Sequence, residues 1–85
     1  MSGLIVIGHG QAGSWSSDAS NVLREDKDLC ARAAEHGLYD RAQAKGLADR
    51  DGNLYEDAWL LVVGDHVAES TLDGDPSVLG YCVTE

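Results

Sequence analysis

Gly8, Gly10 and Gly13 follow an apolar run at residues 4–7, in the stretch LIVIGHGQAGSW, with the spacing G-x-G-x-x-G. Glycines so placed let a backbone approach a phosphate closely, and a helix N-terminus behind them supplies the N–H donors that hold an anion. Three histidines, His9, His36 and His66, are the other candidates for ligation or proton transfer. They fall on three separate segments, with neither the H-x-x-x-H nor the H-E-x-x-H spacing that would set two rings on one helix face. Asp49, Asp51, Gly52 and Asn53 look like the middle of a calcium loop, but with Gly52 at its sixth position the anchoring positions fall on Leu47 and Ala58, which cannot ligate. That stretch reads as a turn. The expectation is no metal, no cofactor and no catalytic residue.

LIVIGHGQAG resembles the opening of Rossmann-type FAD- or NAD-binding proteins, and the resemblance implies that Gly8, Gly10 and Gly13 are pyrophosphate-binding positions. It covers residues 4–13 and stops there. The fingerprint needs a helix packed on the sheet straight after its last glycine, whereas Ser14, Trp15, Ser16, Ser17 and Asp18 favour loop and cap positions. It also needs a second parallel strand, and residues 28–36 carry helical periodicity instead. A small nucleotide-binding or enzymatic domain built on this loop is therefore the alternative reading; a glycine-rich exit from a buried strand is the preferred one. His9-Gly10 after an apolar strand is likewise similar to the oxyanion-loop start of α/β-hydrolases, but the G-x-S-x-G elbow of that family does not occur in the chain.

The charge layout is more informative. The net charge is −9, and all six bases, from Arg24 to Arg50, lie in the first 50 residues beside seven acids. From Asp51 onward there are eight acids and no base. Asp57, Asp65, Glu69, Asp73 and Asp75 are the candidate partner-binding residues, because carboxylates with no interspersed Lys or Arg form a single-sign field that steers a positively charged partner. Two such charges about 8 Å apart repel by roughly 0.5 kcal/mol in water, so crowding them has a cost that some benefit should offset. Direct binding to nucleic acid is disfavoured, since phosphate neutralisation needs a basic face.

Size and charge together make the chain similar to the nucleic-acid-mimic inhibitors that phages direct against host defences, including anti-CRISPR and anti-restriction proteins. The likeness implies a non-enzymatic interaction protein that binds and blocks a basic surface of a partner protein, a nucleic-acid-binding effector in the sharpest form. A structural or assembly subunit whose acidity serves solubility is a further alternative. No apolar run approaches the roughly 20 residues of a membrane span, and no signal-peptide pattern opens the chain, which suits a cytoplasmic protein without a membrane partner. Cys30 and Cys82 match no zinc pattern and are expected as thiols, with one disulfide left open.

These residues must be positioned by few elements. A chain of 85 residues makes a single domain, 1–85, with a modest core. Residues 4–7 read as a strand buried on both faces. A helix of about five turns is expected from Ser17 or Asp18 to His36-Gly37, then a shorter one capped by Asp40 and stopped by Gly46. Asp51-Gly52 centres a turn, and residues 58–63 form a strand. Gly64-Asp65 is expected to turn a hairpin that returns residues 66–71 as a strand, with Val62 opposite Val67 and Leu60 opposite Glu69. A last strand at 78–84 carries Leu79, Tyr81 and Val83 on one face. The order β-α-α-β-β-β, with two helices on one face of a small, mostly antiparallel sheet, is an α+β fold.

Overall fold

Four consecutive apolar residues at 4–7 need cover on both sides, and the fold is arranged to provide it. The computed structural model describes residues 3–19 and 25–84. Strand β1 (Gly3–His9) is the middle of a three-stranded antiparallel sheet, flanked by β2 (Ala58–Gly64) and β3 (Val78–Val83) in the order β2-β1-β3. Ile5 pairs with Val62 and Cys82, and Val6 pairs with Leu61 and Tyr81. The class is α+β, as the order of apolar runs predicts.

On one face Ile5, Ile7, Leu60 and Cys82 pack against helices α1 (Lys27–Glu35) and α2 (Leu38–Ala44), which contribute Ala33, Leu38 and Ala42. Asp26 caps α1 by accepting the Leu29 N–H at 3.1 Å. The helix stops at His36, and Gly37 takes φ +73°, a left-handed conformation that costs a glycine little. Gly46, at the same φ, ends the second helical segment as expected. Asp40 lies inside α2 and does not cap it; Gly37 holds that place.

The expected long first helix is corrected at its start. Ser14–Asp18 is a 3-10 helix followed by an extended Ala19, and α1 begins at Lys27; residues 20–24 lie outside the described residues. Trp15 explains the break, because it and Ala19 pack on the second face of the sheet while α1 lies on the first.

The expected hairpin is corrected too. Val67 N–H does bond back to Gly64 O, but the chain then enters helix α3 (Glu69–Asp73), so Val62 and Leu60 face Ile5 and Ile7 across the ladder and not Val67 and Glu69. The physical reason is the second face. Leu4, Val6 and Val63 would be bare there, and one helical turn that drops Leu72 onto them, with Val67, closes a second core that a strand rich in polar residues could not. The segment order is thus β-α-α-β-α-β, and the helices lie on both faces.

In β3 the register shifts between Ile7 and Gly8, which pair with Gly80 and Val78, so Leu79 is the extra residue of a bulge. The bulge turns Leu79 toward the α1/α2 face while Tyr81 packs on the other and Val83 remains 45% exposed. Leu79 therefore leaves the face that Tyr81 and Val83 share.

Neither cysteine is in a disulfide; Cys82 is buried and Cys30 half-buried. Burial pushes the Cys82 thiol up, with Arg32 partly offsetting it. Among the described residues no helix is long and apolar enough to cross a membrane.

Candidate functional site

The glycine loop is built by what fills it. A Cβ at Gly8 would lie 2.3 Å from both Ser77 O and Trp59 Cη2, so the absent side chain makes room for the Trp59 ring. Gly10 has φ +69° and carries the chain off the strand, its N–H donating to Asp57 O and its own O accepting the Trp59 indole N–H at 2.8 Å. At Gly13 a Cβ would meet Asp75 Oδ2 at 2.8 Å and Trp15 Nε1 at 2.9 Å. The two tryptophans meet edge to face, with centroids 5.9 Å apart.

Gly8 and Gly13 therefore have a packing reason and Gly10 a conformational one, and the geometry departs from the fold their spacing resembles. β1 has only antiparallel neighbours, and Gly13 leads into a five-residue 3-10 helix. A carboxylate also stands against Gly13, where a pyrophosphate would bring like charge. His9, His36 and His66 remain on separate elements, and no group of three metal-ligating side chains occurs among the described residues. Asp49 bonds its own turn, accepting from Asp51 N, Asn53 N and Asn53 Nδ2, and the Asn53 bonds hold its carboxyl below the ordinary range.

The structure distributes the five acids into three situations. Asp57 precedes β2, at the end where His9 and Gly10 leave β1. Asp75 sits at that same end but is half-buried and tied in. Its Oδ2 accepts the Trp15 indole N–H at 2.7 Å, and its Oδ1 accepts Ser77 N–H at 2.9 Å and Ser77 Oγ–H at 2.7 Å. Those bonds, the indole's first, hold its carboxyl below the ordinary range. Asp65, Glu69 and Asp73 lie at or beyond the opposite end of β2 and along α3, all exposed.

Asp73 accepts the Tyr81 hydroxyl at 2.8 Å, and that bond, with desolvation and the charges of Asp73 and Glu69, pushes the phenol up. Asp65 and Glu69 line one notch of about 250 Å³ whose other walls are Leu4, Val67, Ala68 and Val83. An apolar floor with an acidic rim suits a side chain with an aliphatic stem and a cationic head.

Sequence reasoning missed the notch walls and the anchors. Trp15 and Asp75 are 60 positions apart, and nothing local couples them. Asp75 in the turn Asp75-Pro76-Ser77 does carry a local signal, since an Asp commonly bonds the backbone two residues on.

Among the described residues the charges of the two covering layers differ. Residues 26–50, which include α1 and α2, hold five acids and five bases, whereas the 3-10 helix and residues 64–77 hold Asp18, Asp65, Glu69, Asp73 and Asp75 and no base. No protein-family model, curated protein or solved structure matches this chain.

Proposed function

We propose that the protein binds a basic surface of a partner protein through the layer formed by the 3-10 helix and α3, occupying a site where the partner otherwise holds nucleic acid. The observation that supports this reading is the notch in which Asp65 and Glu69 flank Leu4, Val67 and Val83. A lysine or arginine can lay its methylenes on the apolar floor and meet a carboxylate at the rim, and Asp73 and Asp18 extend the same sign of charge along the layer. Long-range attraction speeds association, and the apolar floor gives the contact a preferred position.

The acids do not count alike. Asp75 is a structural acceptor, and its neutralisation would disturb Trp15. The informative variant is Asp65→Asn with Glu69→Gln. Immobilised wild type should retain a protein from a host lysate at low salt and release it at high salt; the variant should retain at least about tenfold less, as for loss of two charge-assisted contacts. The released protein should bind DNA or RNA, and the wild type should compete with that nucleic acid. Equal retention by the variant, or no competition, overturns the proposal.

A further inference from the structure

The two edges of the sheet are treated differently. The outer edge of β3 is broken by the bulge at Leu79, and Arg41 of α2 reaches across to donate Nη1–H to Leu79 O at 3.1 Å. Arg41 lies so close that a Cβ at Gly80 would stand 2.9 Å from its Nη1. A bulge and a cation on the edge are the two devices that keep a foreign strand from pairing. Among the described residues the outer edge of β2 has neither. Its seven residues, AWLLVVG, carry no charge and no proline and pair with β1 in unbroken register. Among the described residues β2 has one ladder neighbour, and the backbone bonds outside the ladder touch it only at its ends, through Ala58 N–H and Gly64 O. Alternate N–H and C=O groups along its middle therefore point away from β1, beside the half-exposed Leu61 and Val62.

The ends of this edge say what kind of strand it takes. Glu56 and Asp57 precede β2, Asp65 follows it, and Asp57 and Asp65 stand about 25 Å apart at the rise of an extended chain. If a second copy paired antiparallel about a two-fold axis at Leu61, Asp57 of each copy would face Asp65 of the other, placing like charges opposite at both ends. A strand with basic residues at both ends meets opposite charges instead.

We infer that the β2 edge is a docking site for an extended partner segment, an apolar or β-branched run of about seven residues flanked on both sides by Lys or Arg, added to the sheet as a fourth strand. Main-chain hydrogen bonds provide the pairing, alternate side chains cover Leu61 and Val62, and the flanking cations meet Asp57 and Asp65. This goes beyond the binding proposed for the α3 layer: it shares only Asp65 with the notch, and neither Glu69 nor Asp73 takes part.

The test uses the full chain, isotope-labelled, with three synthetic peptides sharing a Thr-Val repeat: one flanked by paired lysines, one by paired glutamates, and one lysine-flanked peptide N-methylated at alternate amides. The lysine-flanked peptide should slow hydrogen exchange of the outward β2 amides. The glutamate-flanked and N-methylated peptides should each bind at least about tenfold more weakly, as should the lysine-flanked peptide to Asp57→Asn with Asp65→Asn, by about fivefold. Glu69→Gln with Asp73→Asn should leave binding unchanged, which separates this site from the α3 layer. The inference is overturned if protection maps to α3, if the N-methylated peptide binds as well as its parent, or if the protein alone dimerises with β2 amides protected, since the occupant is then a second copy.

Discussion

Both faces of the sheet bury an apolar core, and they differ in what covers it. On the α1/α2 side, Ile5, Ile7, Ala33, Leu38 and Ala42 are all at most 1% exposed, and the layer above them balances its acids and bases. On the other side the cover is a five-residue 3-10 helix and a five-residue α-helix, too short to be stable alone, and among the described residues its acids carry no balancing base. That thin layer is fastened by side-chain bonds: Trp15 to Asp75, Trp59 to Gly10 O and Tyr81 to Asp73. On this acidic face, then, Asp75 and Asp73 accept bonds from aromatic side chains while Asp65 and Glu69 are exposed, and composition does not separate them.

The largest effect is expected on the aliphatic side. Leu38→Ala should cost about 3 kcal/mol, read as a drop in denaturant midpoint, because a fully buried leucine leaves a cavity among Ile5, Ile7 and Ala42. If the loss is under about 1 kcal/mol, apolar burial does not carry this face. Next comes Gly8→Ala, expected to cost about 2–3 kcal/mol because its Cβ meets Ser77 O and the Trp59 ring. The accompanying sign is a changed near-ultraviolet tryptophan signal, and Gly8→Ala combined with Trp59→Leu should lose less than the two single changes added together.

A smaller effect is expected at the fasteners. Asp75→Ala should cost about 1–2 kcal/mol and alter the Trp15 signal, since it leaves a half-buried indole N–H without its acceptor. The same bond sets a pH dependence. Asp75 titrates below its ordinary value when folded, so its contribution is complete above the unfolded carboxylate value, about 3.9, and fades as pH falls through the folded one. Acid melts of wild type and Asp75→Ala should therefore converge at the lowest pH; parallel curves would remove the carboxylate from the account. The smallest change in stability, within about 0.5 kcal/mol, is expected for Glu69→Gln, an exposed carboxylate on α3. A larger loss there would count Glu69 among the fasteners.

How far the sequence was readable depends on the range of the interactions. The strands at 4–7 and 58–63, the stop at His36-Gly37 and the Asp51-Gly52 turn were legible because each depends on neighbours within a few residues. The hairpin at Gly64-Asp65 was half legible: the turn forms, but whether a strand or a helix follows depends on which partner β1 accepts at its other edge. The glycine spacing was legible as an exit from a buried strand, but not what packs against it. Its meaning was supplied by Trp59 and Asp75, dozens of positions away. Of the five candidate acids, the sequence could name them all but could not tell Asp75, bonded to Trp15, from Glu69, bonded to neither tryptophan nor tyrosine.

By itself, the order of residues determined an acidic α+β chain whose first strand is apolar on both sides, since periodicity, caps and charge are local properties. The tertiary structure alone decided that a second layer would close over Leu4 and Val6, that the bulge at Leu79 would divide β3 between two cores, and that β2, among the described residues, would have a single ladder neighbour. Those outcomes arise from contacts between distant segments competing for the same faces of β1, and no local pattern encodes which of them wins.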